Sequence, residues 1–166
     1  EDAHGNIWLF WYAGNNIWCK TYSADSWGEE TQLTTVERSR AYRNAFGDAQ
    51  GHIWLFWYAD NNIWCKKTYR TGRWGANTPL ITGAESYLTD IKLFEDHEGS
   101  IWLLFHKPDY GNIWCKRYVD GDWLAEMRLC SGRTMKPSYD SFEDHEGNIW
   151  LFWVEKTGTA RSMWCK

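Results

Sequence analysis

Trp27, Trp74 and Trp123 have the type and spacing best suited to binding chemistry in this chain. Each follows a turn and opens a polar strand. An indole so placed can stack on the C–H face of a pyranose ring while its N–H donates a hydrogen bond. Lys20, Lys66 and Lys116 each close a Trp-Cys-Lys triplet. They can meet a polar ligand or lay their stems over an indole. Four Asp-x-x-Gly turns begin at Asp2, Asp48, Asp96 and Asp144. Their carboxylates resemble calcium ligands in type, but calcium takes six to eight oxygens and each turn offers few. A turn in which Asp caps backbone N–H groups and Gly adopts φ > 0 accounts for the pattern. His4, His97 and His145 recur in or beside these turns and read as a solvated rim. No Cys-x-x-Cys pair starts a zinc site. No nucleophile has a spaced base, and Arg38, Arg40 and Arg43 cluster only locally. A non-catalytic protein with neither metal nor cofactor is expected.

These residues sit in an internal repeat. All fourteen tryptophans fall into four columns. The first is Trp8, Trp54, Trp102 and Trp150. The second is Trp11, Trp57 and Trp153, with Phe105 in the gap. The third is Trp18, Trp64, Trp114 and Trp164, and the fourth is the trio already named. Periods of this length mark solenoids, propellers or arrays. Residues 5–20 and 51–66 agree at 14 of 16 positions.

The chain has 166 residues, a formal net charge of −4 and 18% aromatic residues. Its length fits one domain, 1–166, with repeats at about 1–46, 47–94, 95–142 and 143–166. The acidic balance argues against a nucleic-acid or anionic-membrane partner, since both want clustered Lys and Arg. The longest apolar runs are too short to span a bilayer. Cys19, Cys65, Cys115 and Cys165 share one repeat column and read as small buried thiols. Cys130 has no repeat counterpart. Unpaired cysteines point to a reducing, cytoplasmic compartment.

In the second repeat, His52–Ala59 and Asn62–Tyr69 read as strands joined by an Asp60-Asn61-Asn62 turn. A third strand runs from Trp74 to about Thr82 and a fourth from about Ser86 to Phe94. Along the first, Ile53, Leu55 and Trp57 point one way and Trp54, Phe56 and Tyr58 the other. Both faces are apolar, so the sheet needs cover on both. Radial packing of four-stranded antiparallel blades supplies it, which makes the expected fold an all-β propeller. The first three tryptophan columns then read as packing between blades.

The stretches Glu-Asp-His-Glu-Gly-Ser-Ile-Trp-Leu (95–103) and Glu-Asp-His-Glu-Gly-Asn-Ile-Trp-Leu (143–151) resemble the Asp-x-x-Gly-x-Ile-Trp repeats of bacterial repeat propellers, including sensor propellers of two-component regulators. Asn-Asn-Ile-Trp-Cys-Lys followed by Gly-x-Trp is similar to lectin propellers of the fungal fucose-lectin and tachylectin kind. The resemblance implies that the strands at about 40–46, 86–94 and 137–142 line a central channel, and that the strands of Trp27, Trp74 and Trp123 lie outermost. Arg43, Ile91 and Tyr139, with Asn44, Lys92 and Asp140, would then line a water-filled channel. Two departures are visible. Sensor repeats follow Ile-Trp with Gly-Thr, where this chain has Leu-Phe-Trp. Fucose lectins carry an arginine where this chain has Trp8, Trp54, Trp102 and Trp150, so their fucose pocket is not implied.

That strand order gives 14 strands, about three and a half blades. An unclosed half would leave two or three tryptophans on each open face, about 300–700 Å². At about 25 cal/mol/Å² this is roughly 8–17 kcal/mol per face as an upper bound. Closure by oligomerisation is therefore expected, as a homodimer completing a seven- or eight-bladed ring; a strained four-bladed monomer is also drawable. The functional expectation is a multivalent carbohydrate-binding module with glycans as partners, with the alternative of a structural or protein-interaction scaffold lacking a small-molecule ligand.

Overall fold

The apolar run Ile-Trp-Leu-Phe-Trp-Tyr-Ala is followed in both early repeats by a two-residue turn and Asn-Ile-Trp-Cys-Lys. A computed structural model describes residues 1–35, 39–68, 72–83, 91–106, 112–130, 138–157 and 160–165. It folds these segments into four antiparallel sheets. Sheet 1 holds β1 (Ile7–Ala13), β2 (Asn16–Ser23), β3 (Ser26–Trp27) and β4 (Thr31–Gln32). Sheet 2 holds β5 (Ser39–Gly47), β6 (Ile53–Ala59), β7 (Asn62–Lys67) and β8 (Thr78–Ile81). Sheet 3 holds β9 (Lys92–Glu95), β10 (Ile101–His106), β11 (Ile113–Val119), β12 (Asp122–Trp123) and β13 (Met127–Cys130). Sheet 4 holds β14 (Ser138–Glu143), β15 (Ile149–Thr157) and β16 (Ala160–Cys165). Thr71, residues 86–90 of the expected inner strand, Arg38 and Lys166 lie outside the described residues.

The turns set the register. Gly14-Asn15 and Asp60-Asn61 have positive φ at both central positions, as do Ala24-Asp25 and Asp120-Gly121. That backbone matches the twist of a tight hairpin. It pairs Ala59 with Asn62, and so brings Trp54 opposite Lys67 and Leu55 opposite Lys66.

Among the described residues sixteen strand segments appear where fourteen strands are expected, because the outer strands of sheets 1 and 3 are broken. In sheet 1, β2 advances three residues between Tyr22↔Trp27 and Cys19↔Thr31, while its partner advances four. The same extra residue lies between Thr68↔Trp74 and Cys65↔Thr78 in sheet 2. It recurs between Tyr118↔Trp123 and Cys115↔Met127 in sheet 3. Each outer strand thus carries a bulge just after its fourth-column tryptophan. A bulge bends the strand and re-aims the neighbouring side chains.

The chain divides into two compact units, Glu1–Gly83 and Ala84–Lys166. In the first, β1 and β2 turn Trp8, Phe10, Tyr12, Ile17 and Cys19 onto Leu55, Trp57 and Ala59 of β6, and Leu33 joins the cluster. In the second, Trp102, Leu104, Ile113 and Cys115 of β10 and β11 meet Tyr139 of β14 and Leu151 and Trp153 of β15. Both units repeat one rule: the face bearing the first-column tryptophan receives the face bearing the second-column tryptophan. β6 is buried along its whole length.

Two expectations are corrected. Cys19, Cys65 and Cys115 are buried, and burial pushes the Cys19 and Cys115 thiols up to about 11, but Cys165 is exposed. It lies opposite Phe152 on the face of sheet 4 that carries Trp150, and that face is open in the single chain. Tyr139 does not line a channel. Its ring is buried in the core and its hydroxyl donates to the Leu104 carbonyl at 3.2 Å. Asp140, on the opposite face of β14, pairs with Lys92 at 3.5 Å. The Arg43 side chain lies outside the described residues.

Candidate functional site

Each Asp-x-x-Gly turn is a closed hydrogen-bonded unit. The Asp amide donates to the carbonyl four residues on, and the Gly amide donates to the Asp carbonyl. One carboxylate oxygen accepts the backbone N–H four residues on: Asn6, His52, Ser100 or Asn148. The other accepts the indole N–H of Trp8, Trp54, Trp102 or Trp150 at 2.8–2.9 Å. These aspartates therefore tie the first tryptophan column to the turns. Burial raises the Asp2 carboxyl, but the Trp8 indole, Asn6 and His4 outweigh it and hold it at about 2. At Asp144 the Trp150 indole leads, and the carboxyl again lies at about 2.

The turns also contact one another within each unit. A Cβ on Gly51 would lie 2.9 Å from the His4 ring, and one on Gly147 would lie 2.6 Å from the His97 ring. Both glycines have φ above +80°. The His97 amide donates to Glu143 at 2.9 Å, and its Nδ1 also meets Glu143. That hydrogen bond raises the imidazole above its ordinary value. His52 is buried, with Nδ1 2.9 Å from Asp48.

The fourth-column tryptophans occupy two environments. Trp27 leans on Tyr22 at 5.3 Å, and Trp123 leans on Tyr118 at 5.4 Å, both tilted by 58°. In sheet 2 the tyrosine is replaced by Thr68, whose hydroxyl accepts the Ile53 N–H. Trp74 instead stands edge-on to Trp8 at 5.9 Å and Phe10 at 6.2 Å. Its side chain also hydrogen-bonds Cys19.

The lysine ends bind backbone or carboxylate oxygens. Lys66 donates to the Leu33 carbonyl at 2.9 Å and Lys116 to the Leu124 carbonyl at 3.2 Å, while Lys20 pairs with Glu30 at 3.8 Å. Burial lowers the Lys66 ammonium. The cations seen over indoles stand one residue later: Lys67 over Trp54 at 4.7 Å and Arg117 over Trp102 at 5.0 Å. Arg117 also donates to Asp96, Glu98 and Ser100. Lys67 is brought opposite Trp54 by the two-residue Asp60-Asn61 hairpin, and Arg117 stands opposite Trp102 in the register of β10 and β11, whereas alternation along one strand points to the neighbouring lysine.

Of the six candidate residues, Trp74 and Lys20 come together at one cleft of about 370 Å³ in the first unit. Its walls are Trp8, Cys19, Lys20, Thr21, Glu29, Thr31, Gly72, Arg73 and Trp74. The volume falls at the lower end of small-molecule sites, about 300–1,000 Å³. Glu29 and Thr31 reach it because the outer-strand bulge lies between Trp27 and Thr31. Lys20 pairs with Leu9 and Thr21 with Trp8, so alternation puts the lysine side chain on the face away from Trp8. The cleft thus offers two perpendicular indoles, two threonines, the cation Arg73 and the anion Glu29. Arg73 and Glu29 are not repeated in the other units and carry no sequence signal of their own. Trp123 and Lys116 belong to the second unit and do not line this cleft.

No protein-family model matches the sequence, and no curated protein matches it. Among solved structures, the chain is similar to the endo-arabinase from Bacteroides thetaiotaomicron VPI-5482, with a TM-score of 0.50 and 16% identity. The likeness covers 99% of this chain and 71% of that one. At that identity it establishes the fold: all-β, with four antiparallel sheets of three to five strands, resembling part of a propeller-fold enzyme.

Proposed function

We propose that the chain is a non-catalytic binding module whose cleft between sheets 1 and 2 takes a small carbohydrate. The observation that carries this reading is the convergence of Trp8, Trp74, Thr21, Thr31, Glu29 and Arg73 on one cleft of about 370 Å³. Aromatic walls suit the C–H faces of a sugar ring. Threonine hydroxyls, the Arg73 cation and the Glu29 anion suit its hydroxyl groups, and binding sites commonly combine apolar walls with a few placed polar groups. Trp74 is the stacking platform, with Arg73 and Glu29 as the polar contacts. The four Asp-x-x-Gly carboxylates accept indole and backbone N–H groups, which supports a structural role for them.

Tryptophan fluorescence and calorimetry against a panel of neutral, acidic and pentose oligosaccharides test the reading. Arabinan fragments belong in the panel because the similar solved structure is an endo-arabinase. Saturable binding weakened at least tenfold in Arg73→Ala is the expected result. Silence across the panel removes the carbohydrate reading, and release of new reducing ends removes the non-catalytic one. The second reading, a scaffold without a small ligand, is favoured by the hydrogen-bonded engagement of the whole first tryptophan column.

A further inference from the structure

Internal repetition supplies a control for exposure. Ile53 and Leu55 of sheet 2 are 3% and 0% exposed, while their counterparts Ile7 and Leu9 in sheet 1 are 49% and 50% exposed. Register puts Tyr22 opposite Ile7 and Trp27 opposite Tyr22, so Trp27, 48% exposed, shares that open face. On sheet 4 the open face is the other one. Trp150 is 37% exposed where Trp54 is 2%, and it is flanked by Phe142 at 51% and Met163 at 75%. Phe142 stacks on Phe152 at 5.6 Å, on the same face.

The two open faces are the two halves of a contact that the chain already makes twice. In the first unit, the Trp8–Phe10 face of sheet 1 covers the Leu55–Trp57 face of sheet 2. In the second, the Trp102–Leu104 face of sheet 3 covers the Leu151–Trp153 face of sheet 4. Trp150 and Phe152 occupy the repeat positions of Trp8 and Phe10, and Leu9 and Trp11 those of Leu55 and Trp57. We infer that the Trp150–Phe152 face of one copy docks on the Ile7–Leu9 face of a second copy, and that two copies close through two such junctions. Trp27 then takes the place of Trp74, edge-on to Trp150 and Phe152 as Trp74 is to Trp8 and Phe10.

Area supports this occupant. Counting roughly 100 Å² for each half-exposed large side chain, each face leaves on the order of 400 Å² of apolar surface, at the upper end for a monomer. A junction then buries about 800 Å² and two junctions about 1,600 Å², the size of a standard specific interface. Each junction joins different faces, and the two junctions together make the self-complementary interface of a two-fold dimer.

Light scattering on the 166-residue chain at about 50 μM tests the inference, since it reads mass without any ligand and is independent of the carbohydrate proposal. A dimer mass is expected. Leu9→Asp and Phe142→Asp, both at exposed positions, should each give a monomer with unchanged far-UV circular dichroism. Mixing the two variants leaves one sound junction, so part of the dimer mass should return. A monomeric wild type, an open-ended polymer, a dimer that survives either substitution, or no recovery on mixing would overturn the inference.

Discussion

Asp48→Asn tests whether the turn carboxylates hold the tryptophan column in place. Asp48 is buried and accepts the His52 N–H at 2.8 Å, the His52 ring nitrogen at 2.9 Å and the Trp54 indole N–H at 2.9 Å. The amide keeps the size but offers one acceptor instead of two. Losing a charge-assisted hydrogen bond costs about 1.5–3 kcal/mol, and orphaning a buried donor costs about 1–3 kcal/mol. Trp54 is almost fully buried, so water cannot replace the lost partner. The expected loss is about 3–5 kcal/mol. With a urea m-value of about 2 kcal/mol/M, the midpoint falls by about 1.5–2.5 M. Asp144→Asn is the matched control. Asp144 makes the same indole bond at 2.8 Å, but Trp150 is exposed, and water can take over. Its midpoint should scarcely move when unfolding is followed by circular dichroism well below 1 μM, where the single chain is measured. A double-mutant cycle adding Trp54→Phe isolates the bond and should return about 1.5–3 kcal/mol of coupling. Equal losses at Asp48 and Asp144, or coupling near zero, would refute the reasoning.

Other consequences are as direct. Trp57 is fully buried and its indole N–H has no hydrogen-bond partner among the described residues, so Trp57→Phe should cost less than about 1 kcal/mol in urea unfolding, and far less than Trp54→Phe. Ala24 holds φ at +47° in a hairpin turn, so Ala24→Gly should raise stability by about 1 kcal/mol, read as a higher melting temperature. Gly147→Ala meets both a φ of +86° and the His97 ring, and should lose about 1–3 kcal/mol, partly recovered in a His97→Ala background. His97 is raised by Glu143, so its contact is fully present below the unfolded value of about 6.5 and is lost as pH rises through the raised folded value. An NMR titration should show the His97 midpoint falling towards the ordinary value of about 6.5 in Glu143→Gln.

The strands of β1, β6, β10 and β15 were legible because the first five positions of each are all apolar or aromatic, and the turns after β1 and β6 because Asn, Asp and Gly accept positive φ. The capping role of Asp2, Asp48, Asp96 and Asp144 was legible in outline. The indole as its second partner was not, because that bond depends on how the turn folds back over six residues. The outer-strand bulges escaped because one extra residue leaves no mark in a polar strand where Gly28, Gly75 and Leu124 occupy the same place. The cleft escaped for a related reason: it is lined from two sheets, and Arg73 and Glu29 are far apart in the sequence. Lys67 could have been found by counting across the Asp60-Asn61 hairpin rather than along one strand.

Pairing a first-column face with a second-column face within each unit has an evolutionary consequence. A duplicated segment of one period arrives with both the surface that its predecessor covers and the surface that covers its successor. No new complementarity has to be invented, so the number of sheets can change by recombination within the gene while every contact keeps its chemistry. Selection can then act on the outer-strand loops, where Arg73 and Glu29 already differ from repeat to repeat, without disturbing the stack beneath them.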